Sequence, residues 1–189
     1  GTAITLGDSG DTFTVPSGVT LTNNGTASGF GGGKVLQIVQ AEKNDTFTHT
    51  GTTFTDVTGL SASITPSATS SKILIFSTIN GGANNRYASI RLVRDSTDIF
   101  LGDAAGSRTQ VTLPIDANSS ETDNTYVARN MGLNYLDSPS TTSSTTYKIQ
   151  VANASSSSAI TYINRNPDDS DANFSTRAAS NIILMEIGA

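Results

Sequence analysis

One imidazole, three glutamates and an aspartate-rich loop are the groups in this 189-residue chain best suited to polar chemistry, and none stands in the pattern that a reaction needs. His49, in Thr48-His49-Thr50, has hydroxyls and carboxylates elsewhere in the chain to complete a Ser-His-Asp relay, but no nucleophile elbow accompanies it. It reads as an imidazole on a strand surface. A glycosidase needs two carboxylates facing each other across the scissile bond. Glutamate occurs only at Glu42, Glu121 and Glu186, so an acid/base pair would draw on Asp168, Asp169 or Asp171, which are neighbours on one loop.

That loop, Asn166-Pro167-Asp168-Asp169-Ser170-Asp171-Ala172-Asn173, offers hard oxygens at alternating positions of the kind Ca²⁺ takes. It lacks the glycine and the closing bidentate glutamate of an EF-hand, and a turn in which Asp and Asn cap their own backbone is the simpler reading. Gly31-Gly32-Gly33-Lys34 precedes a strand rather than a helix, so it is not a phosphate loop. The chain has no cysteine, which removes disulfides, zinc-thiolate sites and thiol nucleophiles together. The sequons at Asn118-Ser119-Ser120 and Asn153-Ala154-Ser155 are expected by chance in a chain so rich in Ser and Thr. The expectation is a protein that is not an enzyme, with no catalytic residue, no cofactor and no metal.

Eleven basic and sixteen acidic residues leave a formal charge of -5. A negative field repels polyanions, so no nucleic-acid partner is expected. No apolar run reaches the length of a membrane span, so no membrane insertion is expected either. With no initiator Met, Gly1 is compatible with an internal residue of a longer polypeptide. Ser, Thr, Asn and Gly supply most polar positions, a composition common among extracellular and virion proteins.

The elements that must position any site fall into two segments. Between Gly1 and Gly33 the apolar groups are short alternating pairs, Ile4/Leu6, Phe13/Val15 and Val19/Leu21, separated by turn formers such as Pro16-Ser17-Gly18. Each pair offers one face of a strand too short to be stable alone. Copies from neighbouring chains would close the missing sides, so residues 1–33 are read as an intertwined β-stalk ending in a glycine hinge. A flexible linker is the competing reading.

From Lys34 to Ala189 strand signals recur and helical periodicity does not. Val35 to Gln40, Phe47 to His49, Thr53 to Thr55, Leu60 to Ile64, Ile73 to Phe76, Arg86 to Arg94, Ile99 to Leu101, Thr109 to Leu113, Tyr126 to Leu136, Tyr147 to Val151, Ile160 to Ile163 and Asn181 to Ile187 are the candidates. Counted together they give about ten strands, an all-β antiparallel sandwich of jelly-roll type. Ala88, Ile90 and Leu92 should point inward. Ile73-Leu74-Ile75-Phe76 is apolar on both faces, as in a strand covered on each side. The closing strand, Ile182 to Ile187, is apolar on both sides apart from Glu186, so the core, a neighbouring subunit or both must cover it.

Certain segments are similar to known proteins. Ile4-Thr5-Leu6-Gly7, Gly10-Asp11-Thr12-Phe13-Thr14-Val15-Pro16-Ser17-Gly18 and Asn24-Gly25-Thr26-Ala27-Ser28-Gly29-Phe30-Gly31 resemble the stalks of fibre proteins of marine tailed phages, including cyanophages. Gly33-Lys34-Val35-Leu36-Gln37-Ile38-Val39-Gln40, Leu60-Ser61-Ala62-Ser63-Ile64-Thr65-Pro66, Ser70-Ser71-Lys72-Ile73-Leu74-Ile75 and the ending from Tyr162 to Ile187 look like the C-terminal domain of the same family. The resemblance implies a homotrimeric virion fibre that works outside the cell on a tail or a head. Its partners would be other virion proteins and a host surface glycan or protein. It carries over no catalytic residue. Loop residues Asn84, Asn85, Tyr87, Asn166 and Phe174 are the expected receptor contacts. A head-fibre or collar decoration protein without a receptor role, and a fibre-borne glycan depolymerase, are the rival readings.

Overall fold

The computed structural model describes residues 14–20, 22, 34–84, 87–115 and 127–188. Two compact units divide the chain, Gly1–Gly32 and Gly33–Ala189. In the first, Val19 N–H donates to the Pro16 carbonyl at 3.2 Å, and Gly18 takes φ +86°, which closes the turn expected at Pro16-Ser17-Gly18. Val15 and Val19 are exposed there, at 36% and 59%. The other stalk positions, Ile4, Leu6, Phe13 and Leu21, lie outside the described residues.

Among the described residues the regular elements of the second unit are all strands: β1 (Val35–Lys43), β2 (Phe47–Thr50), β3 (Thr55–Ile64), β4 (Lys72–Ala83), β5 (Ala88–Arg94), β6 (Thr97–Ile99), β7 (Leu113–Ile115), β8 (Arg129–Asp137), β9 (Thr145–Asn153), β10 (Ile160–Ile163) and β11 (Ser180–Ile187). All described pairings are antiparallel. The larger sheet runs β1-β11-β4-β10-β2, with β8 on the remaining edge of β4. Thr78 pairs with Asn181 and Gly132, and Gly81 with Ile163 and Arg129, so β11 and β10 follow one another along one edge of β4. The smaller sheet runs β3-β9-β5-β6, with β7 also on β5.

Period-two patterning explains which side chains meet between the sheets. Ile73, Ile75 and Ile79 of β4 and Ile182 and Leu184 of β11 face Ile90, Leu92, Ile149 and Val151 in one buried cluster. Ala88, Ile90 and Leu92 all point inward, as expected. In β3 the buried positions step from Val57 to Leu60 before resuming alternation at Ala62 and Ile64, because the register shifts between Asp56 and Ser61. Gly59, at φ +89° beside the Lys43 side chain, is part of that irregular stretch.

Four strand expectations are corrected. Thr53 to Thr55 keeps only Thr55, where β3 begins, and the Arg86 to Arg94 run becomes strand at Ala88, because Tyr87 takes φ +70°. Ile99 to Leu101 ends at Ile99, because Phe100 adopts φ +54° and stacks on Tyr135 with ring centroids 4.7 Å apart. Thr109 to Leu113 is irregular up to Leu113, where β7 begins. Gln110 and Arg91 instead clasp the loop, with Gln110 Nε2 on the Gly102 carbonyl and Arg91 Nε on the Gln110 carbonyl. The excursion from Asn164 to Arg177 is anchored by Asn164, whose Nδ2 donates to the carbonyls of Lys43 and Asp45 and whose Oδ1 accepts from Ser180 Oγ.

One polar group ties the two sheets together. Asp137, at the end of β8, accepts from Arg94 on β5 at 2.8 and 2.9 Å and from the Tyr147 hydroxyl on β9 at 2.6 Å. Burial and the neighbouring carboxylate push the Tyr147 hydroxyl far above the usual phenol pKa, so it remains a donor.

Candidate recognition loops

Three connections meet at the end of the sandwich where β4 stops. Gly51 N–H donates to the Ala159 carbonyl at 2.9 Å, and Asn153 N–H to the Gly51 carbonyl at 2.9 Å. Asn84 N–H donates to the Ile160 carbonyl, and its Oδ1 accepts from Ile160 N–H at 2.7 Å. Ala154 N–H donates to the Tyr87 carbonyl at 3.0 Å. Backbone hydrogen bonds thus join Gly51, Asn84 and Tyr87 to the 153–160 stretch in one surface, with the Ser155 to Ser158 tract on it. Loops gathered on a rigid sheet end are a usual place for recognition.

Tyr87 is the presented residue of this surface. Its side chain is 61% exposed while its backbone, at φ +70°, is held by the bond to Ala154. A bulky residue seldom adopts that conformation, which costs on the order of 1–2 kcal/mol, so the surrounding contacts must hold it. Asn84 is exposed but committed through Oδ1 to Ile160. Asn85 lies outside the described residues.

The second group of expected contacts separates. Phe174 is 52% exposed, whereas Asn166 is fully buried and donates from Nδ2 to the Phe174 carbonyl. Asn166 is therefore a loop anchor and is removed from the expected receptor contacts. Its neighbours are engaged too: Asp168 accepts from the Ser170 and Ser175 hydroxyls at 2.7 and 2.6 Å, and Asp169 pairs with Arg165 and Arg177. Bonds from Ser175 and then Ser170 hold the Asp168 carboxyl below the usual aspartate range. Asp168 and Asp169 thus bond within their own loop and to its flanking arginines.

The other candidate reactive groups are dispersed. His49 stands on β2 opposite Thr161, and its buried Nε2 finds no hydrogen-bond partner among the described residues. Glu42 accepts from Gln40 on the same strand. Glu121 lies outside the described residues.

Glu186 is the most constrained carboxylate. It is fully buried and accepts from Gln37 Nε2 at 2.6 Å and from Ser67 N–H and Oγ at 2.7 and 2.6 Å. Burial alone would raise its pKa, but the bonds from Ser67 and Gln37 outweigh it and hold the carboxyl at about 2. A depressed folded-state pKa stabilises the fold above the unfolded-state value near 4.5 and loses that contribution as pH falls toward 2. Urea titrations from pH 6 to pH 2.5 should show the midpoint falling below pH 4.5, and Glu186→Gln should flatten that decline. An equal acid dependence in the variant would remove Glu186 as its cause.

No family model matches the chain, and no curated protein matches it. Among solved structures, that of infectious bursal disease virus Gx strain aligns with a TM-score of 0.36 and 11% identity over 92% of this chain and 45% of the other. The VP2 subviral particle of infectious bursal disease virus aligns with a TM-score of 0.37 and 9% identity over 80% of this chain and 39% of the other. The chain spans less than half the length of either. Similarity at this level carries no argument about what the chain does.

Proposed function

We propose that this chain is a non-enzymatic virion fibre protein: a homotrimer whose β-sandwich heads attach to the host cell surface through their loops. The observation that carries the attachment role is the joined loop surface displaying Tyr87. It lies at the opposite end of the sandwich from Val35, where the chain enters the head: β4 runs from Lys72 near that entry to Ala83 beside the loops. An exposed aromatic ring on a pinned backbone among hydroxyls and amides suits a glycan or protein surface, because little freedom is lost when it is covered. The sequence resemblance to marine phage fibres supports the same reading. Three weak sites on one trimer would add avidity that a single site lacks.

Binding of the purified chain to envelopes of a susceptible host tests this reading. Tyr87→Ala should weaken retention by about tenfold or more, the usual effect of removing an aromatic anchor, without a change in the unfolding midpoint. Retention unchanged by Tyr87→Ala would contradict attachment through these loops. Labelling of the capsid in electron micrographs of the virion, together with no binding to envelopes, would favour a decoration protein instead. Release of reducing ends from host polysaccharide would make the chain a depolymerase.

A further inference from the structure

We propose that the outer face of the larger sheet is the surface through which copies of this chain pack together. The cross-strand register sets Ile38 beside Met185, Met185 beside Leu74 and Leu74 beside Leu136, so one apolar row crosses four strands on the side facing away from the core. The adjacent row holds Ile183 and Phe76 side by side. Ile38 is 59% exposed, Leu136 46% and Phe76 39% in the single chain. The outer face of an antiparallel sheet in water is ordinarily polar. The smaller sheet follows that rule, with Asp56 paired to Lys148 and bonded to Gln150 and with Ser63 bonded to Thr146.

Size and charge identify the occupant as a second copy. Four strands about 4.8 Å apart and three side-chain rows about 7 Å apart, the outer two of which also carry Gln40, Asn134 and Lys72, give a footprint of roughly 400 Å² before any rim is counted. That lies within the roughly 300–600 Å² of the largest patch on a typical soluble monomer and is about half of the ~800 Å² per partner of a stable interface, the rest of which the rim would supply. On β1, β11, β4 and β8 the face carries Lys72 in the row of Ile187 and Glu42 in the row of Asn181, at opposite ends of the apolar band, while Arg165 lies over Tyr162 of β10, away from that band. A chain of net charge -5 meets its own copy with least repulsion where the charges flanking the band are opposite and separated. The interface follows from this sheet face alone, whatever the loops bind.

The absence of cysteine makes an introduced thiol a clean reporter. In the full chain at micromolar concentration, Ile38→Cys should react with a maleimide about tenfold more slowly than Ser63→Cys on the outer face of the smaller sheet, because the face is covered in most molecules. Dilution should abolish the difference, and adding Leu74→Asp, which places a charge in the same row, should abolish it without dilution. Equal rates at high concentration would overturn the proposal. Protection of Ile38→Cys in a sample whose light-scattering mass is 19.6 kDa would overturn it too, since the cover would then belong to the same chain.

Discussion

Replacing Asp137 with alanine should destabilise the sandwich by about 3 kcal/mol, toward the low end of the range for breaking a buried, hydrogen-bonded charge pair. Asp137 is 5% exposed, and its carboxylate is the shared acceptor for Arg94 and Tyr147. The acceptor sits on the larger sheet and both donors on the smaller one, so its loss removes a direct polar tie between the layers. Tyr147 is fully buried, and its hydroxyl would be left without that acceptor. Arg94 moderates the effect, because its side chain is 27% exposed and can turn to water. Tyr147→Phe keeps the Arg94–Asp137 pair and removes one donor, so it should cost less, about 1.5–2 kcal/mol. Urea unfolding of the two variants beside the unsubstituted chain checks the order. A larger loss for Tyr147→Phe than for Asp137→Ala would show that the tyrosine, not the carboxylate, organises the tie.

Two neighbours on β4 should behave in opposite ways. Ile75→Ala should cost about 2–5 kcal/mol, because Ile75 is fully buried between the sheets and truncation leaves a cavity there. Phe76→Ser, one residue on, should change the stability of the isolated chain by only about 0.5 kcal/mol, since Phe76 faces outward. Its effect belongs to association and should grow with protein concentration, because surface buried between copies stabilises by mass action. Unfolding midpoints measured at two concentrations separate the terms. Phe76→Ser as damaging as Ile75→Ala at high dilution would mean that the outer face is covered within the chain.

The buried half of that contrast was legible in the sequence and the exposed half was not. Ile73-Leu74-Ile75-Phe76 read as a strand covered on each side, whereas the structure buries Ile73 and Ile75 and turns Leu74 and Phe76 outward, with Phe76 39% exposed. Ala88, Ile90 and Leu92 lay on one face because alternation alone determines the side of a strand. What the sequence left unread depends on contacts between distant segments. No local pattern marks Asn166 as buried, since its cover is the far side of its own loop at Phe174. The Asp137–Arg94–Tyr147 tie joins three strands that are remote in sequence. Phe100 read as a strand residue and left the strand for the ring of Tyr135, a tertiary contact that overrides β propensity. Of the loop candidates, Tyr87 was named as a contact but also read as a strand residue of Arg86 to Arg94; its place before β5 and the bond from Ala154 that holds it were not legible.

The mass of the full chain in solution, measured by light scattering at micromolar concentration, tests the assembly account most directly. Copies packed through the apolar row of Ile38, Met185, Leu74 and Leu136 require a mass that is a multiple of 19.6 kDa, falling toward that value on dilution. A mass of 19.6 kDa at every concentration would contradict it.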